Sequence, residues 1–356
     1  MKQLIFPILA AAVILTACTG NNNQQPQSER HGGTLRVNVS DIPHVVFPGR
    51  INKRSEQMIV NQVYDGLVKY NPQTLQIVPS IAKKYTISDD KLTYTFTLDS
   101  RARFQDSRCF KFGRGRSIVA ADVKYSVEQV CRIQLLNDYK NFRQILNIEG
   151  ADLFLKTAKT NDSVNISGII AQNDTTLIFK LKKADDLFIH YLAGPNTLVF
   201  AKEAFNTFGI NGTAGSGAFI IKYPTIKGQP IELVRNRKYW KTSAENEPLP
   251  YLDTLVFSFV TSTQKELYMF EKEMVDVVLD IPTKFLTPFL DANIDRFKGS
   301  EPRSVMTQTI NLNNDKRFNL LSANINDLYI NAQNYFDFSE VYLKKPEPHN
   351  NEAANE

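Results

Sequence analysis

Side chains able to do chemistry are few and scattered in this 356-residue chain. Its four histidines are His31, His44, His190 and His349. No His-Glu-x-x-His run or closely spaced Cys/His set accompanies them, so neither a metal site nor a cofactor is expected. His44 and His190 read as surface or internally satisfied residues. Ser216 sits in Ala214-Gly-Ser-Gly-Ala218, which lacks the outer glycines of a nucleophile elbow. An extracytoplasmic hydrolase acting through Ser216 stays as an alternative, but the expectation is that the chain is not an enzyme. Three cysteines remain to be placed: Cys18, Cys109 and Cys131.

Cys18 follows Lys2, an apolar run from Leu4 to Leu15 and the small residues Thr16 and Ala17. That is a secretory signal, too short to span a bilayer. Leu15-Thr-Ala-Cys18 is similar to a bacterial lipobox, so residues 1–17 are expected to be a signal peptide and Cys18 to carry the acyl groups of a lipoprotein. The product is tethered to a membrane, in the periplasm or at the cell surface. In that oxidising compartment Cys109 and Cys131 are an even pair that either forms a disulfide or stands as two unrelated buried thiols.

Residues 18–33 are polar and form a flexible leash, and residues 344–356 read as a disordered tail. Between them residues 34–39, 93–98, 175–181, 219–223, 231–235 and 254–260 alternate apolar and polar side chains as half-buried strands do. Residues 55–68, 120–130, 263–273 and 283–291 carry apolar side chains at helical steps. The elements mix without a strict βαβ rhythm, which predicts a mixed α/β fold. The formal charge of +5 is mild, and a nucleic-acid partner is not expected outside the cytoplasm. One stretch is locally basic: Arg108, Lys111, Arg114 and Arg116 interleave with Phe110 and Phe112. Such a loop either meets phospholipid head groups or an acidic partner, or is simply solvated.

Several short blocks occur in a telling order: Gly33-Thr-Leu-Arg-Val37, Val63-Tyr-Asp-Gly-Leu-Val68, Val78-Pro-Ser-Ile-Ala82, Phe104-Gln-Asp106 with Ala121-Asp-Val-Lys-Tyr-Ser126, Gly215-Ser-Gly-Ala-Phe219 and Val234-Arg-Asn-Arg-Lys-Tyr-Trp240. Together they resemble the family 5 extracellular solute-binding proteins of ABC transporters, of the dipeptide- and oligopeptide-binding type. The resemblance implies a periplasmic-binding-protein-like fold of two hinged lobes with an extra N-terminal subdomain, closing on a peptide or similar small solute for a membrane permease. It places the first lobe at residues 34–262, with the subdomain at roughly 61–174. In this family the peptide lies extended and pairs its backbone with the protein. Carried onto this chain, that role falls to Ile51, Asn52, Lys53 and Arg54, behind Phe47-Pro48, where the family has Asp-Pro. Tyr139, Asn141, Phe142 and Ser216 stand where the family lines its cleft.

Three departures qualify the expectation, the first being that the stretch between Asp106 and Ala120 is longer than the family's turn. The family's Gly-Glu-x-Asp turn reads Glu273-Met-Val-Asp276 here, with the glycine replaced. After residues 311–319, which resemble the start of the second lobe's core, only residues 320–343 precede the tail, so residues 263–343 are expected to form a partial second lobe. A binding-impaired scaffold or adaptor lipoprotein is therefore the alternative to a working binder. Asp122, at the start of its helix, reads as a structural first-turn acid.

Overall fold

Alternating strands bury one face and helices one stripe, and both are seen in the computed structural model. It describes residues 30–136, 143–279 and 336–341, apart from positions 73, 162, 213 and 224, together with residues 282, 284, 285 and 288. The first half runs β1 (Thr34–Asn38), α1 (Arg54–Val63), β2 (Val68–Tyr70), β3 (Ile77–Pro79), β4 (Ala82–Ile87), β5 (Thr93–Leu98), α2 (Ala120–Leu136), α3 (Arg143–Leu146) and α4 (Ala151–Thr157). There follow β6 (Ile169–Asn173), β7 (Thr176–Lys180), α5 (Phe188–Leu192), α6 (Lys202–Phe208), β8 (Phe219–Ile221), β9 (Ile231–Arg235), β10 (Thr254–Ser258) and α7 (Thr263–Glu271).

The first sheet has the order β1-β10-β9-β8. β1 and β10 are parallel, with Thr34 opposite Thr254, while β9 is antiparallel to both its neighbours. Leu35, Val37, Leu233, Leu255 and Phe257 point to one side and pack against Met58, Ile59 and Val63 of α1. The second sheet, β4-β5-β7-β6, is antiparallel throughout. In β5 every second residue is buried, Tyr94, Phe96 and Leu98, as the Thr-x-Thr-x-Thr pattern demands. These meet Val123, Val127 and Cys131 of α2 with Phe179 and Phe188 in a second core. Each buried ring contributes roughly 2 kcal/mol.

The second core is wider than the 61–174 subdomain read from the sequence. It takes in Leu177, Phe179, Phe188 and Trp240, because β7 is a central strand and cannot be left out of its sheet. α1 ends at Val63 rather than near 68, since Tyr64 is extended and the last carbonyls find other donors: Val63 O accepts from Gly217 N at 2.9 Å and from Gln105 Nε2 at 3.3 Å. α2 starts as expected. Asp122 accepts from Val119 N at 2.9 Å and binds the Arg116 guanidinium through both oxygens at 2.7 Å, the structural role assigned to it.

Residues 336–341, expected in a partial second lobe, lie on the first sheet's core instead. Phe338 is 3% exposed and its ring meets Phe257 at 6.2 Å. Gln62 clamps the segment, donating to Phe336 O at 2.6 Å and accepting from Phe338 N at 3.1 Å. A disulfide is also not formed: Cys109 and Cys131 are both free thiols. Cys131 lies on the buried face of α2 among apolar side chains, and burial pushes its thiol up to about 12. Cys109 is half-buried in the loop before α2, at the margin of the same core. Among the described residues no helix is long and apolar enough to cross a membrane.

Candidate functional site

β8 runs parallel to β1 and β10, so three strands present their carboxyl ends along one edge of the first sheet. In open α/β sheets that edge is where ligands collect. An open hollow of about 400 Å³ lies there. Pro43, Val45 and Val46 from the loop after β1, Ile221 and Ile231 from the β8–β9 hairpin and Phe259 after β10 give it apolar walls. His44, Asn211, Tyr223 and Gln229 supply polar groups. Apolar walls with a few placed polar groups suit a side chain or small organic solute.

The loop that forms one wall is stitched to the N-terminus of α1. Glu56, 1% exposed, accepts from the amides of His44 at 2.8 Å, Asn52 at 2.8 Å and Lys53 at 3.2 Å. Asp41 accepts from the Ser55 amide and hydroxyl. Lys53 Nζ donates to Ile42 O at 2.6 Å and stands 3.2 Å from His44 Nε2, joining residues 51–54 to the hollow. A helix start must satisfy its orphan amides: Asp41 of the loop takes the Ser55 amide, and Glu56 of α1 in return takes the amides of His44, Asn52 and Lys53 that lead into the helix.

That arrangement corrects two sequence expectations. Residues 51–54 are not an open strand edge: the amides of Asn52 and Lys53 are bound to Glu56, Ile51 packs on the first core and Arg54 opens α1 with its guanidinium over the Phe336 ring. Ser216 is fully buried and does not line a cleft. Its hydroxyl donates to Asp65 Oδ2 at 3.1 Å and accepts from Asp65 N at 3.3 Å. The same carboxylate receives Lys241 Nζ at 2.6 Å and Tyr239 OH at 3.4 Å, and Lys241 also reaches Ser80 at 2.8 Å. Burial draws the Lys241 ammonium below its usual range, and the charge of Asp65 pulls the other way. This polar knot is satisfied from within and ties the Gly215–Gly217 turn to the end of α1. Phe47, too, is a core residue, 1% exposed and 4.8 Å from the Phe200 ring. Cys18, Tyr139, Asn141 and Phe142 lie outside the described residues.

The hollow itself was missed at the sequence level. None of its apolar residues is unusual in type or spacing, and the pairing of residues 34–38 with 254–258 that creates the shared carboxyl edge has no local signal. Among the described residues no group of three His, Cys, Asp or Glu side chains could hold a metal.

A mixed α/β fold with a hollow at the strands' carboxyl edge suits a binding protein, and the solved structures that superpose on the chain are of the periplasmic-binding-protein-like kind. Residues 76–327 match the signature of bacterial extracellular solute-binding proteins, family 5, middle region; the chain belongs to this family, which is one of binding proteins rather than enzymes. It is 24% identical over 292 residues to the heme-binding protein A of Haemophilus influenzae, covering 76% of this chain and 49% of that protein. It is 23% identical over 248 residues to the oligopeptide-binding protein OppA of Bacillus subtilis, covering 67% and 43%. Among solved structures, the Escherichia coli murein tripeptide binding protein MppA superposes with a TM-score of 0.61 at 20% identity, over 72% of this chain and 48% of that one. Haemophilus influenzae OppA in complex with the peptide RPPGFSPFR gives a TM-score of 0.60 at 16% identity, over 73% and 48%. The chain thus spans about half the length of these relatives.

Proposed function

We propose that this chain is a membrane-anchored solute-binding lipoprotein that captures peptides or similar solutes and delivers them to an ABC importer. The observation that carries this reading is the hollow of mixed apolar and polar lining at the carboxyl edge of the first sheet, in a chain of this family. Its walls accept an apolar side chain, while His44, Asn211 and Gln229 offer polar partners to the solute's backbone. The sequence around Cys18 supports the anchor, and the importer's permease is the partner that a tethered binder requires.

Thermal unfolding of the full chain with mixtures of short peptides tests capture. A ligand that binds only the folded state at a hundredfold excess over Kd adds about 2.7 kcal/mol and raises Tm. Val46→Asp should abolish the gain. No shift with any peptide, nor with heme, the ligand named for one relative, would favour the binding-impaired scaffold instead. For the anchor, Cys18→Ala should leave an unprocessed precursor; cleavage of that variant at the same bond would remove the lipoprotein assignment.

A further inference from the structure

Residues 107–117, between the second sheet and α2, contain four basic residues and no acid. The loop is fastened at its base. Phe110 is 7% exposed and stacks on Phe104 at 5.8 Å, and Arg116 is held by Asp122 and Glu203. Gly115 lies so close to the chain beneath it that a Cβ there would fall 2.0 Å from Phe104 O. The loop also closes on itself, with Ser107 N donating to Gly113 O at 3.1 Å and Gly113 N to Phe110 O at 2.9 Å.

The apex is different. Phe112 is 86% exposed and sits at φ 57°, followed by Gly113 at φ 70°. Aromatic residues rarely adopt the left-handed region, so the fold holds this ring outward against both its backbone preference and its hydrophobicity. A Cβ added at Gly113 would have no atom within 4 Å, so the tip stands in open space. Lys111 Nζ lies 5.2 Å from the ring centroid, Arg114 is exposed, and Arg108, also exposed, lays its guanidinium over the Phe208 ring at 4.9 Å. The adjacent acid, Asp106, is bound by Lys238 and by Gly115 N, so the tip is left basic.

We propose that this loop is a membrane-docking finger. Phe112 enters the head-group region of an anionic phospholipid surface, and Arg108, Lys111 and Arg114 engage the lipid phosphates. A ring flanked by bases is the combination that prefers the membrane interface. A protein partner fits less well, because one ring on a projecting tip without an apolar surround cannot nucleate the dry core that a stable protein interface needs. A fluid interface needs no such surround.

The test uses the full chain carrying Phe112→Trp on vesicles with brominated acyl chains, made of phosphatidylcholine alone or with added phosphatidylglycerol. The native Trp240 is 9% exposed and supplies a constant background. The introduced indole should blue-shift and be quenched only on the anionic vesicles, and the signal should be lost at high salt. Adding Arg108→Ser, Lys111→Ser and Arg114→Ser should remove it too, with an unchanged circular dichroism spectrum showing that the fold persists. Because an acyl anchor would hold the chain to either vesicle, the comparison isolates the loop's own contact. No quenching on anionic vesicles, equal quenching on both, or a spectral response to an acidic polypeptide but not to lipid would each overturn the proposal.

Discussion

Arg36 in β1 and Asp276 beyond α7, 240 positions apart, are joined by both side chain and backbone. The guanidinium binds the carboxylate through Nε at 3.0 Å and Nη2 at 2.7 Å, and Arg36 N donates to the same carboxylate at 2.7 Å. Asp276 N in turn donates to Arg36 O at 2.8 Å, and Val37 bridges Val277 in parallel. The segment leaving α7 is thus pinned to the edge of the first sheet. Part-exposed pairs contribute modestly, but forked geometry is the strongest kind. Arg36→Ala and Asp276→Ala should each lower stability by about 1 kcal/mol, and the double variant by little more than either single one. Urea unfolding measures this. Arg36→Lys should not restore the loss, since an ammonium cannot make the fork.

The same segment carries a residue at odds with its backbone. Glu273, where the family's turn has glycine, lies at φ 58°. The turn therefore survives in left-handed form without the residue best suited to it. Glu273→Gly should leave stability unchanged or raise it by up to about 1 kcal/mol, whereas Glu273→Val should lower it by about 1 kcal/mol. Equal losses from both would mean that the Glu273 side chain, not the backbone, decides the turn.

Gly215 should tolerate nothing larger. An added Cβ would lie 2.0 Å from Val63 O, and one at Gly217 2.4 Å from Gln62 O. Backbone cannot swing aside as a long side chain can, so Gly215→Ala is expected to cost about 3 kcal/mol, and Ser216→Ala less. The order of the two midpoints in a denaturant titration is the check; Gly215→Ala at wild-type stability would show that the turn can move off α1.

Acid should weaken the fold through a few identified carboxylates. Burial alone would raise the pKa of Asp337, but the Lys69 ammonium 2.6 Å away and the hydrogen bonds from Lys69 and Ser339 outweigh it and hold the carboxyl well below the usual range. Arg101, Lys238 and Arg116 lower Asp99, Asp106 and Glu203. Between the folded and unfolded values of such a group the unfolded chain binds more protons, so its contribution is complete above about pH 4–5 and is lost as pH falls through the folded value. Glu128, raised by burial, acts in the opposite sense but is one group against four. Lys69→Met should cost about 3 kcal/mol at neutral pH and shift acid unfolding upward. Unfolding curves taken from neutral pH downward read both effects.

Thiol labelling distinguishes the two free cysteines. Cys131, 1% exposed and with its thiol raised, should react only when the chain unfolds, whereas Cys109 should label slowly in the native state. Mass spectrometry of labelled peptides reads this. A linked Cys109–Cys131 peptide from unreduced protein would restore the disulfide.

Local pattern was legible wherever one face of an element is buried. β5 and β9 have the bounds that alternation predicts, and α2 begins at Ala120. Less was legible where short elements pack on both sides or barely repeat: β4, β6, α4 and α5 carry too few periods to stand out. The site residues fared worst, because a family position says which side chain stands at a place but not which way this chain turns it. Ser216 turned to Asp65, and the amides of Asn52 and Lys53 turned to Glu56.

From the sequence alone came the strands and helices with a clear apolar face, the mixed α/β class and, through blocks in series, the family. These rest on interactions between residues near in the chain or on ordered motifs. The tertiary structure alone decided that β1 pairs with β10, that Phe338 returns to the first core, and that three strand ends frame one hollow. Such contacts join residues from a few tens to more than two hundred positions apart. They are selected by how whole apolar faces and buried charges fit together, and no local spacing encodes that fit.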